Sequence, residues 1–242
     1  MRGLTREAQH WDGFAAQLAA HLGDQVLTPD LPGSGELFRE QSPATVRGML
    51  EAVRRQILAR GAQPPFGVLG MSMGGMIATD WAQHFPNEVS RLVLVNTSMR
   101  PFSSITQRLR PANWPALVGL SAQWSDAEQA EQTIHRLTCE RVDEKPLDLA
   151  AWMGIRSTSP VSAANALRQL WAAAKFECQP EAPRCPVLVL SSAKDRLVSP
   201  RCSAQIASAW QAAHVQHPWA GHDLPHDDGH WTGAQVARWL SA

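Results

Sequence analysis

Phe66-Gly67-Val68-Leu69-Gly70-Met71-Ser72-Met73-Gly74-Gly75 opens as a short apolar run and closes on two glycines, with a helical pattern from about Met73 to His84 directly after it. A strand that turns straight into a helix at a serine lifts the hydroxyl above the sheet, where a substrate can reach it. So sharp a turn presses the residues two before and two after the serine against neighbouring backbone, and both must be small. Gly70 and Gly74 meet that demand. The Met73 N–H then opens the helix, where the dipole favours developing negative charge. Ser72 is therefore a candidate nucleophile, and the Met73 N–H a candidate oxyanion donor.

Short apolar runs alternate with helical patterns on either side of this turn. Before it, Gln25-Val26-Leu27-Thr28 reads as a strand closed by Pro29-Asp30. Val46, Met49, Leu50, Val53 and Ile57 then share one face of a helix, and Pro64 and Pro65 end that stretch. After the turn come predicted strands over Arg91–Asn96, Pro186–Leu190 and His214–Trp219, a helix over 203–213, and a C-terminal helix carrying Val236, Trp239 and Leu240. This alternation predicts an α/β fold, a mostly parallel sheet with helices on both faces. Residues 98–175 break it. They hold Trp114, Trp124, Trp152 and Trp171 but no clear strand, and read as a helical insertion over one edge of the sheet.

A serine hydroxyl is a poor nucleophile until a base removes its proton. Asp195 follows the strand ending near Leu190, and His222 follows the last predicted strand in Ala220-Gly221-His222-Asp223. Both lie in loops at the C-terminal ends of strands, the side on which Ser72 stands and on which open α/β sheets bind ligands. The order serine, acid, histidine is the one expected after such a turn. Asp195 would orient the imidazole and stabilise it once protonated. The segment His222–His230 carries three histidines and three aspartates, a set that could also ligate a metal. Proline and glycine interrupt it, so its histidines do not share a helix face. The reading preferred is one catalytic histidine on a solvated acidic loop, with no metal.

Lys plus Arg and Asp plus Glu number 22 each, so the basic footprint of a nucleic-acid binder is absent. No run approaches the roughly 18 consecutive apolar residues of a membrane span. Nor does the N-terminus show a secretory leader pattern, so a cytoplasmic location is expected. Cys139, Cys178, Cys185 and Cys202 lack C-x-x-C spacing, which argues against a zinc knuckle or redox dithiol and for reduced thiols. Gly33-Ser34-Gly35 lacks the third glycine of a dinucleotide loop. No cofactor is implied.

The serine turn, the late acid and the histidine after Ala220-Gly221 together resemble the α/β-hydrolase superfamily, more narrowly its small serine esterases with a helical cap. Asp30-Leu31-Pro32-Gly33-Ser34-Gly35 is similar to that family's loop after an early strand. The resemblance implies a core of residues 1–97 and 176–242 with a cap at 98–175. It also implies a second oxyanion donor from a turn here represented by Arg2-Gly3-Leu4, namely the Leu4 N–H. Two hairpin strands and a central strand usually precede that turn, so the N-terminal strands are expected to be missing from this sheet. The activity implied is hydrolysis of a small-molecule carboxylic ester or thioester through an acyl-enzyme on Ser72, without nucleic-acid or membrane partners. The same fold and triad also serve acyl transfer, carbon–carbon bond hydrolysis and lyase chemistry. Loss of the early strands leaves a non-catalytic binding protein as a further alternative.

Overall fold

The computed structural model describes residues 1–241. In chain order, α1 (Phe14–Leu22) and α2 (Val46–Ala59) precede β1 (Phe66–Met71), α3 (Met73–His84) and β2 (Val89–Val95). Five helices follow: α4 (Ile105–Arg108), α5 (Trp114–Ala122), α6 (Ala127–Thr138), α7 (Lys145–Thr158) and α8 (Ala163–Lys175). The chain then returns through β3 (Val187–Ser192), α9 (Arg201–Trp210), β4 (Ala213–His217), α10 (Leu224–Asp227) and α11 (Gly229–Leu240). The strands form one parallel sheet in the order β1-β2-β3-β4, with Leu69 opposite Val93, Val95 opposite Leu190, and Leu190 opposite Val215.

Alternation along the strands splits the core into two layers. Val68, Leu92, Leu94, Val187 and Val189 face one way, where α2, α3 and α9 bring Met49, Leu50, Val53, Ile77, Trp81 and Ile206 against them. Met71, Val93, Val95, Leu188 and Leu190 face the other way, against Phe14 and Leu18 of α1 and Val236 of α11. With both faces covered, the strands read as near-continuous apolar runs. The predicted stripe Val46, Met49, Leu50, Val53, Ile57 is the buried face of α2, whose N-terminus is capped by Thr45 Oγ1 accepting the Gly48 N–H at 3.1 Å.

Residues 25–28 differ from expectation. They form no strand, and no strand precedes β1 among the described residues. The reason is a missing neighbour, since a ladder needs a partner within hydrogen-bonding distance. A cleft of about 710 Å³ separates Val26, Leu27 and Thr28 from the outer flank of β1, with Phe14, Leu18 and Ile57 also in its walls. Among the described residues, only the very start of the chain makes backbone hydrogen bonds to that flank. The Met1 amine donates to Leu69 O at 2.7 Å, and Met71 N–H donates to Met1 O at 3.1 Å, the bond pair of a parallel bridge. Peptide groups alternate sides along a strand, so the Leu69 N–H and the Gly67 C=O face the cleft without a ladder partner.

No helix among the described residues is long and apolar enough to cross a membrane.

Candidate active site

Ser72 is the residue before α3 and stands at φ 53°, ψ −119°, a backbone conformation L-residues rarely adopt. Two bonds pin the turn: Ser72 N–H to Val95 O at 2.9 Å, and Thr97 Oγ1 to Ser72 O at 2.7 Å. The glycine requirement is steric. A Cβ at Gly70 would overlap the Gly74 carbonyl, one at Gly74 would strike the Met1 and Arg2 carbonyls, and one at Gly75 would come within 2.7 Å of the Thr97 side chain.

His222 Nε2 lies 3.0 Å from Ser72 Oγ, and His222 Nδ1 lies 2.7 Å from Asp195 Oδ2. Asp195 Oδ1 accepts the Leu197 and Val198 N–H groups, both at 2.9 Å, so the carboxylate is held from its own turn. Both Asp195 and His222 are buried. Burial works against a charged imidazole, but the Asp195 charge and hydrogen bond, helped by Asp223, outweigh it and raise the His222 pKa above its ordinary value. The three residues predicted from sequence thus form one continuous hydrogen-bonded chain.

The two predicted oxyanion donors belong to α3 and to the N-terminal turn. Met73 opens α3, and its N–H has no intrahelical acceptor. The Arg2-Gly3-Leu4 turn passes directly over the serine: a Cβ on Gly3 would sit 3.1 Å from Ser72 Cβ and 3.6 Å from its Oγ. A side chain there would fill the space in front of the hydroxyl. Gly3, Leu4 and Ser72 all line a cavity of about 230 Å³. Its remaining walls are largely apolar and come from the helices between β2 and β3, with Leu117 and Leu120 of α5, Leu137 of α6 and Leu167 and Leu170 of α8. Trp124 also borders it, whereas Trp114 is 46% exposed, Met99 is packed in the core, and Trp152 is buried beside His135 and His226.

The loop after His222 corrects the sequence reading. It is not solvated, because Asp223 and Asp227 are buried and each is answered by specific donors. Asp223 takes a bidentate pair from Arg2, at 2.9 and 2.5 Å, and Arg2 also lies 4.7 Å above the Trp11 ring. Burial opposes its charge, yet the guanidinium holds the Asp223 pKa down to about 2. Asp227 accepts N–H groups from Gly221 at 2.7 Å, Glu140 at 3.0 Å and Arg141 at 3.1 Å, tying the His222 loop to the segment after α6. Asp228 Oδ1 caps α11 by accepting the Trp231 N–H at 2.9 Å.

Asn96, at the end of β2, was missed by sequence reasoning. Its amide donates to Ser192 Oγ at 2.9 Å and His222 O at 2.8 Å, and its Oδ1 accepts the Ser192 N–H at 2.9 Å. One side chain therefore joins the ends of two strands to the backbone of the residue that faces Ser72. The available signal was a polar residue closing the apolar run Leu92–Val95, which is where a parallel sheet presents functional groups.

Residues 3–228 match a family model described as alpha/beta hydrolase fold. The chain is 30% identical over 233 residues to "Putative carbamate hydrolase RutD" of Klebsiella pneumoniae (strain 342), covering 91% of this chain and 82% of that protein. It is 34% identical over 137 residues to a pimeloyl-[acyl-carrier protein] methyl ester esterase of Chromobacterium violaceum, covering 52% of this chain and 49% of that protein. Among solved structures, the enol-lactonase of Burkholderia xenovorans LB400 superposes with a TM-score of 0.78 at 20% identity, over 100% of this chain and 89% of that one.

Proposed function

Because this chain belongs to the α/β-hydrolase fold family, we propose that it is a serine hydrolase that cleaves a carboxylic ester or thioester through an acyl-enzyme on Ser72. The observation that carries this reading is the unbroken hydrogen-bond chain from Ser72 Oγ through His222 to Asp195. In the first half-reaction Ser72 Oγ attacks the carbonyl carbon and His222 Nε2 takes the hydroxyl proton. The carbonyl oxygen becomes an oxyanion beside the N–H groups of Met73 and Leu4. His222 returns the proton to the departing alkoxide or thiolate as the acyl–oxygen or acyl–sulfur bond breaks. Water then attacks the acyl-enzyme by the same route, and Asp195 keeps the imidazole in one tautomer throughout.

The cavity wall bears on the substrate. Leucines from three cap helices around a space of about 230 Å³ favour a substrate with an apolar arm. Carbamate hydrolysis is the second reading, favoured by the name its relatives carry and needing no change of machinery. A small polar carbamate would leave most of that apolar wall unused. The four unpaired thiols suit a reducing, intracellular setting, which forms part of the same proposal.

The test is intact-protein mass after treatment with a fluorophosphonate, with Ser72→Ala alongside and circular dichroism on both. One adduct on the parent and none on the variant supports the proposal. A folded parent that takes no adduct overturns it in favour of a binding protein. Turnover of short and medium acyl esters against simple carbamates then separates the two substrate readings.

A further inference from the structure

Behind the His222 loop, His135, Cys139 and His226 each bring one ligand-type atom to a common point, all within 4.8 Å of one another. His135 lies in the last turn of α6, and Cys139 is the residue that ends that helix. His226 arrives from α10, on the loop that carries His222. None of the three belongs to the serine chemistry. We propose that this cluster is a binding site for a divalent metal ion of the zinc class, clamping the cap to the His222 loop.

Donor chemistry is the first argument. One thiolate and two imidazoles are ligands that select zinc and its neighbours, rather than magnesium or calcium, which prefer oxygen. Bonds of about 2.0–2.3 Å in a tetrahedral site set ligand atoms about 3.5 Å apart, so closure asks for movements of about 1 Å or less from each side chain.

His226 supplies the second argument. Its side chain is only 5% exposed, yet Nε2 has no hydrogen-bond partner among the described residues. Asp148 Oδ2 lies 3.1 Å away but out of line for a hydrogen bond. Buried polar atoms rarely go unanswered, and one left beside two other metal-type donors points to a ligand.

Charge is the third. Asp148 Oδ2 also lies 3.0 Å from His135 Nε2, the place of a carboxylate behind a metal-bound imidazole. The Cys139 thiolate and Asp148 offset the charge of a divalent ion, with Arg141 3.8 Å from the other Asp148 oxygen. On binding, the Cys139 thiol releases its proton to solvent as the metal–sulfur bond forms, and nothing is oxidised. Trp152 packs on both rings, with centroids 5.4 Å from His135 and 5.1 Å from His226, and a water would complete the tetrahedron. Sequence spacing could not disclose this set, since His226 lies 87 residues from Cys139.

The experiment is a cobalt(II) titration of chelator-treated, desalted full-length protein, followed by displacement with zinc(II). One equivalent of cobalt should bring visible bands of tetrahedral intensity and a near-ultraviolet thiolate charge-transfer band, both erased by zinc. Cys139→Ser should lose the charge-transfer band and bind about 100-fold more weakly or worse, and His226→Gln should bind similarly weakly. Asp148→Asn, beside the ligands, should weaken binding by about 10–100-fold. Cys178→Ser should behave as the parent. Absence of stoichiometric binding by the folded parent overturns the proposal, and so does an unchanged charge-transfer band in Cys139→Ser. Because no step reads ester turnover, the outcome is independent of whether Ser72 is a nucleophile.

Discussion

At the C-terminal ends of β1, β2 and β3 polar groups close on one another, whereas along the outer flank of β1 they stay open. Asn96 bridges two strand ends to the His222 loop, Arg2 neutralises Asp223, and three backbone N–H groups answer Asp227. A few residues away, on the same β1, the Leu69 N–H and Gly67 C=O look into a cleft of about 710 Å³, and a buried amine at Met1 ends the only bridge there. The two regions rest on different terms. The site is held by long-range polar bonds between side chains and loops, which need no complete sheet beneath them. The flank depends on ladder pairing, which cannot be improvised from side chains. Site geometry and scaffold completeness are therefore separable in this molecule.

The largest effect belongs to the site. Asp195→Asn should lower ester turnover about ten-thousand-fold while leaving the fold intact, checked by steady-state rates and circular dichroism. In the parent, turnover should fall as the pH drops through a value above 6.5. The raised His222 pKa means that the base is already protonated there. A loss of stability comparable to the loss of activity would show that site and scaffold are not separable.

Next come two charges placed on opposite sides of the comparison. Arg2→Met leaves Asp223 buried without its partner and should cost about 3–5 kcal/mol in a urea melt. At the flank, burial and then the Arg2 charge lower the Met1 amine pKa from 8.0 to about 5. The unfolded amine binds a proton below about pH 8 and the folded one does not, so stability falls as the pH is lowered from 8 to 5. The predicted loss from this one group approaches 4 kcal/mol. A polypeptide acetylated or extended ahead of Met1 should lack it, and identical pH profiles for blocked and free chains would refute the assignment.

The smallest effect sharpens the contrast. Leu92→Ala, in the middle of the sheet, should cost about 2–5 kcal/mol, whereas Leu27→Ala, half-buried beside the cleft, should cost less than about 1 kcal/mol. Equal costs in denaturant melts would mean that residues 25–28 are packed like a strand after all.

The parts legible in the sequence were those with local signatures. Gly70, Ser72 and Gly74 announce a turn through sterics confined to a few residues, and Val46 through Ile57 announce a helix through periodicity. Asp195 and His222 were found because the fold order places them after strands. Residues 25–28 misled because an extended apolar run is a property of the segment, while a strand is a property of a pair. Asp223 and Asp227 misled in the opposite direction. Their charge suggested solvent, but the Arg2 guanidinium and the Gly221, Glu140 and Arg141 amides that allow their burial come from distant parts of the chain or from backbone. Asn96 was hidden because its role lies in four bonds to other elements.

The Arg2–Asp223 pair joins residues 221 positions apart, with the whole sheet between them in the chain. During synthesis Arg2 leaves the ribosome almost at once but has no partner until Asp223 follows. The turn over Ser72, bridged to β1 through Met1, thus gains its second anchor only when the core is largely in place. Hydrolytic competence should be the last property the nascent chain acquires, arriving after compactness, so that no early intermediate exposes a working nucleophile.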